Sequence, residues 1–194
     1  RVVDTLGPGI KNVSTIHQPF MIDETRGMIA DFAAQQFADA ATLQLLLMNC
    51  ETIALYQTTG ITRRERDEVH IERRTPPEFQ LIIESTVEPT IGQIEAAIKV
   101  EFGLLLGRQP SAQERQRFVS LFQQAAATAG NIEALQTMLM AIMLKPEAIY
   151  RLEIGFGERQ DDGRRKLSPY ELAFAIGYSL TDDSPDRIRI ADDP

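Results

Sequence analysis

Apolar residues recur along most of this chain at the spacing of a helix face, with one interval where the pattern changes. Met28, Ile29, Phe32, Ala33 and Phe37 fall on one side of a helix, which predicts a short amphipathic helix over 28–37. A second predicted helix begins near Ala41 and puts Leu43, Leu46, Leu47, Cys50, Ile53 and Ala54 on one stripe. It stops by Gly60, a residue suited to closing a helix. Residues 1–24 hold Gly7-Pro8-Gly9 and Gln18-Pro19 and keep no period, so they read as an extended lead-in.

The change comes at 61–89. Thr62-Arg63-Arg64-Glu65 has the spacing of a capping box, yet Val69 and Ile71 alternate with polar residues, and 79–87 is rich in β-branched residues after Thr75-Pro76-Pro77. The expectation is a charged helical turn followed by a β-hairpin-like excursion near 68–87. Arg63, Arg64, Arg66, Arg73 and Arg74 are interleaved with Glu65, Asp67, Glu68 and Glu72, which favours a solvated, salt-bridged face over a phosphate-binding one.

Beyond Pro89 the helical signals are strong. Ile91, Ile94, Ile98, Phe102 and Leu105 make a stripe that closes at Gly107. Ser111-Ala112-Gln113-Glu114 then spells a capping box, the serine accepting from a first-turn amide while Glu114 reaches back to the serine N–H. Phe118, Leu121, Phe122, Ala125 and Ala129 follow on one side. Gly130-Asn131 predicts a left-handed helix end beside a fresh N-cap at Asn131, and hence a tight helical hairpin. Its second arm carries Ile132, Leu135, Leu139 and Ile142, with Met138, Met140 and Met143 as core filler, and Pro146 ends or kinks it. Residues 155–166 read as a polar, glycine-punctuated linker. Ser168-Pro169-Tyr170-Glu171 opens the last helix with Ser168 and Glu171 as its caps; Leu172, Ile176 and Leu180 form its stripe.

These elements predict a mainly α fold, an irregular helical bundle built from helical hairpins, with a small β-hairpin near 68–87 as a candidate addition. Three segments are expected. Residues 1–89 form an N-terminal helical segment with an extended lead-in and a charged excursion, 90–155 a helical hairpin domain, and 164–194 the start of a further helical domain that the chain leaves incomplete.

Composition narrows the function. With 194 residues, 43% of them hydrophobic, the chain can bury a sizeable core. A net charge of −8 makes nucleic acid or an anionic membrane an unsuitable partner. Runs such as Leu45-Leu46-Leu47-Met48 fall far short of the ~20 apolar residues of a membrane span. A single cysteine, Cys50, permits no internal disulfide, no multi-cysteine zinc site and no Cys-x-x-Cys-His haem attachment, and its buried position reads as inert. His17 and His70 have no second ligand at metal-binding spacing. Asp182, Asp183 and Asp186 are candidate oxygen ligands for a cation, but they lack the glycine and distal glutamate of a calcium loop and read as a helix stop. Glu153 and Glu171 are candidates for acid–base work and Ser168 for a nucleophile, although Ser168 and Glu171 are already assigned to capping. No catalytic, cofactor-binding or metal residue is therefore assigned.

Gly107-Arg108-Gln109-Pro110, Glu114, Phe118, the Gly130 break and the closing 146–153 run, followed by Leu167-Ser168-Pro169-Tyr170-Glu171-Leu172, carry a resemblance. Residues 98–153 and 167–186 resemble helical domains of unknown function from planctomycetes and related bacteria. The resemblance implies a large exported parent protein that often carries a c-type cytochrome module, and an extracytoplasmic location. It implies no cofactor in this chain, with haem in a flanking module or partner, and as partners other segments or chains of the larger protein. The expected role is a structural or interaction module; the alternative is part of an enzyme or redox assembly whose active groups lie outside this chain.

Overall fold

The computed structural model describes residues 39–65, 68–150, 155 and 157–181. Among these, seven helices pack as a bundle beside a two-stranded antiparallel hairpin. The predicted helix at 28–37 lies outside the described residues.

Helix α1 (Ala40–Thr58) starts at Asp39, whose carboxylate accepts from the Thr42 N–H at 2.7 Å. It stops because Gly60 takes φ +87°, a value that costs other residues a Cβ clash. Cys50, Ile53, Ala54 and Tyr56 enter the core, whereas Leu43 and Leu47 of the predicted stripe are exposed.

The structure corrects the expectation for 61–89. Thr62-Arg63-Arg64-Glu65 does not open a helix. It lies in β1 (Ile61–Glu65), paired antiparallel with β2 (Glu68–Glu72) in the register Ile61↔Glu72 through Glu65↔Glu68. Gly60, at φ +87°, ends α1 directly before the strand, and the alternation at Val69 and Ile71 suits a strand better than a helix face. The hairpin is therefore earlier than predicted, over 61–72. It is fastened to α1 by the Arg74 N–H donating to the Tyr56 carbonyl at 3.2 Å.

Residues predicted to continue that hairpin are helical instead, forming α2 (Pro77–Ile83). Proline at the first turn has no N–H to lose and a φ already set for a helix. Phe79 and Ile82, three residues apart, are both fully buried, and this burial outweighs the strand preference of the isoleucines.

Helix α3 (Ile91–Leu106) packs against α2. Thr90 and Gln93 form a reciprocal capping box at its start, and Gly107 closes it in the left-handed conformation. Ile94, Ile98 and Phe102 are fully buried; Ile91, in the first turn, is exposed. Helices α4 (Ala112–Ala129) and α5 (Asn131–Met143) form the predicted hairpin and make the most extensive helix–helix contact in the bundle. Gly130 between them has φ +93° and ψ 176°, an extended glycine-favoured conformation rather than the predicted left-handed helical one. Met138 and Met143 are core residues, as expected. Pro146 follows the end of α5 and sits in the first turn of a short α6 (Pro146–Ile149). One cluster of buried side chains extends from Cys50 to Ala148 and joins α1 to α6.

The predicted linker folds as a small antiparallel turn bridged at Arg159↔Arg165. The Gly157 N–H donates to the Lys166 carbonyl at 3.0 Å, and the Gln160 N–H to the Arg164 carbonyl at 2.8 Å. A Cβ on Gly155 would come within 2.9 Å of the Arg165 Cβ, and one on Gly157 within 2.8 Å of the Lys166 carbonyl oxygen, so both glycines are needed for this approach. Helix α7 (Pro169–Thr181) follows. Leu172 and Ile176 of its predicted buried stripe are exposed, whereas Glu171 and Gly177 are buried; the Leu180 side chain lies outside what is described.

Candidate functional site

Charged side chains from the ends of three helices meet at one end of the bundle. Arg108 follows the α3 cap, Glu114 lies in the first turn of α4, and Lys145 and Glu147 flank Pro146 at the start of α6. Arg108 makes a two-pronged contact with Glu114, Nη1 to Oε2 at 2.9 Å and Nη2 to Oε1 at 2.8 Å, and its Nη2 also reaches Glu147 Oε2 at 2.6 Å. Lys145 Nζ donates to Glu114 Oε1 at 2.7 Å. Two cations and two carboxylates thus balance.

Beneath them lies Phe102. The Arg108 guanidinium carbon is 5.2 Å and Lys145 Nζ 5.6 Å from its ring centre, within cation–π range. The same ring meets Phe118 edge-on at 5.7 Å.

Glu114 is filled on both oxygens. Oε2 accepts from the Ser111 N–H at 2.8 Å as well as from Arg108, and Oε1 accepts from Arg108 and Lys145. An ionised carboxylate offers about four lone-pair sites, and all are used here. The Arg108 guanidinium holds the Glu114 carboxyl well below the usual carboxylate range, with Lys145 and the Ser111 amide adding to the pull against a smaller effect of burial. Glu114 and Glu147 in turn raise Arg108 above its ordinary value, Glu114 foremost. Such a group neither takes up a proton near neutral pH nor spares an oxygen for a ligand. Its chemistry is to hold α3, α4 and α6 together.

The other predicted caps divide. The Ser111 hydroxyl accepts from the Glu114 N–H at 3.2 Å. The Ser168 hydroxyl accepts from the Glu171 N–H at 3.2 Å and donates to Glu171 Oε2 at 2.9 Å, while the Ser168 N–H donates to that oxygen at 2.8 Å. Glu171 Oε1 further accepts from the Gly155 N–H at 2.9 Å, so this carboxylate also ties the preceding turn to α7. Asn131 does not cap. It is the first residue of α5, after Gly130, and its amide donates to the carbonyls of Ser85 and Val87 at 3.1 and 2.9 Å. An asparagine beside a glycine suggested a cap from local sequence; the loop it holds is more than forty residues earlier.

A second polar group was not foreseen. Gln57 of α1 and Glu101 of α3 are both fully buried, and Gln57 Nε2 donates to Glu101 Oε2 at 2.9 Å. Burial pushes the Cys50 thiol up to about 11, the Glu101 carboxyl adding to the effect, in keeping with an inert thiol. Nearby, the Gln136 amide donates to the Thr58 hydroxyl at 2.9 Å. The signal for Glu101 was its position within the apolar stripe of α3, one residue before Phe102.

Of the remaining candidates, His70 lies exposed on β2, while His17, Glu153, Asp182, Asp183 and Asp186 lie outside the described residues. Among the described residues no three histidine, cysteine, aspartate or glutamate side chains are grouped to hold a metal ion, and no helix is long and apolar enough to cross a membrane. Comparison with protein-family models, with curated proteins and with solved structures finds no match.

Proposed function

We propose that this chain is a structural or interaction module of a larger exported protein, related to the planctomycete-type helical domains whose motif it resembles. In this reading the motif builds a framework, and the function is carried by the surfaces that the framework presents. The supporting observation is the network over Phe102 in which Arg108 and Lys145 engage both oxygens of Glu114 and Arg108 also reaches Glu147. In this reading Arg108, Glu114 and Glu147 of that motif, with Lys145, hold three helices in register.

Leu172 and Ile176, one helical turn apart on α7, are exposed and supply a contact surface for another segment or chain of the parent protein. The proposed location is extracytoplasmic, with any haem held by a flanking module or partner. A photo-crosslinking residue placed at position 172 of the intact parent protein, in its native cells, tests this directly. The expected product is a defined crosslink to another part of the parent or to a stable partner, recovered from an extracytoplasmic fraction. Absence of any crosslink, or recovery of the parent in the cytoplasm, would overturn the reading.

A further inference from the structure

We propose that the bundle interior binds one proton: the Glu101 carboxyl is neutral in the folded protein near neutral pH and joins the Gln57 side chain as an acid–amide pair that fastens α1 to α3. The geometry begins with two planar groups, both fully buried, that share one hydrogen bond of 2.9 Å from Gln57 Nε2 to Glu101 Oε2. The two atoms left over, Gln57 Oε1 and Glu101 Oε1, have no partner among the described residues. If Glu101 is ionised, both are acceptors and neither can satisfy the other. A proton on Glu101 Oε1 turns one of them into a donor, and the carboxyl then matches the amide with one donor and one acceptor on each side. The proton comes from solvent during folding, and no other group need supply it.

Among the described residues the charges around Glu101 do not offer an alternative. On α1 the Cys50 thiol interacts with it, and a thiolate there would only repel a carboxylate. Arg108, two turns further along α3, and Lys145 before α6 are engaged with Glu114 of α4 and Glu147 of α6. Arg115 of α4 is directed to Glu95, earlier on α3. Glu78 in the first turn of α2, Glu84 just after that helix and Glu133 in the first turn of α5 are acidic and supply no counter-cation. An ionised carboxylate in this interior would keep a single neutral hydrogen bond, which does not offset its lost hydration. Burial accordingly pushes the Glu101 carboxyl from the ordinary 4.5 up to about 8, against the smaller opposing pull of the Gln57 amide.

The sign of the consequence follows. In the unfolded chain Glu101 ionises above 4.5, whereas in the folded chain it keeps its proton to about 8. Stability from this site is fully present below the lower value, falls as pH rises between the two and is level above the upper.

Two measurements on the folded chain test the proposal: a carbon-13 titration of the assigned Glu101 carboxyl, and the folding equilibrium from urea unfolding at several pH values for wild type and Glu101→Gln. A native midpoint near 8 is expected. Between about pH 5 and 8 the wild-type folding constant should carry an extra fall of about tenfold per pH unit that Glu101→Gln lacks. A midpoint near the ordinary carboxyl value, or the same pH slope in both proteins, would overturn it. If Glu101→Gln fails to fold, the wild-type titration decides alone.

Discussion

Glu114 shows how much one side chain can be asked to do. Its capping role was legible, because Ser111 and Glu114 stand at the spacing that lets each reach the other's backbone amide. Its ion-pair role was not, since Lys145 is 31 residues away in sequence and Glu147 meets Arg108 across 39. No local spacing announces such partners. Because the Glu114 carboxyl is depressed, the stability it contributes is present above its unfolded value near 4.5 and is lost as pH falls toward its lower folded value. Glu114→Gln removes that contribution while keeping the side chain's size. Urea unfolding from neutral pH to pH 3 should therefore show a shallower loss of stability in the variant than in the wild type. Equal slopes would mean that the carboxylate is not held by Arg108 and Lys145.

Among the elements, α3 and α4 were read closely, because period and end signals agreed, whereas α5 was placed by its period although the predicted Asn131 cap does not form. The interval 61–89 was misread because its local signals conflict: a capping-box spacing fell in a strand, and β-branched residues fell in a helix whose start is set by proline and whose side is set by Phe79 and Ile82. Tertiary burial decided both. The start of α7 gives a test of capping as distinct from chemistry. Ser168→Ala should cost about 1 kcal/mol, and Ser168→Thr much less. Aspartate is ordinarily a good cap, yet here Ser168→Asp sets a second carboxylate against Glu171 Oε2, so its thermal midpoint should fall at least as far as that of Ser168→Ala. A melt in which Ser168→Asp matches the wild type would show that Ser168 and Glu171 are not hydrogen-bonded to each other.

At the scale of the whole molecule, the mainly helical class and the presence of a small hairpin could be read from periodicity. The assembly could not. Which helix ends meet, that Arg108 and Lys145 share the Phe102 ring, and that Gln57 and Glu101 face an apolar interior all depend on contacts distant in sequence. The exposed Leu43, Leu47, Leu172 and Ile176 mark a limit of a different kind: periodicity shows which residues share a side of a helix, not whether anything covers it. The central claim is that the motif residues form a framework staple across the bundle. A double-mutant cycle on Arg108→Ala and Glu147→Ala, followed by urea unfolding, tests it most directly, since these two side chains join the α3 end to α6 at 2.6 Å. The account predicts that each substitution destabilises the fold and that the two are coupled by about 1 kcal/mol or more, as for partly buried charge pairs in contact. Unchanged unfolding midpoints, or effects that simply add to within about 0.3 kcal/mol, would contradict it.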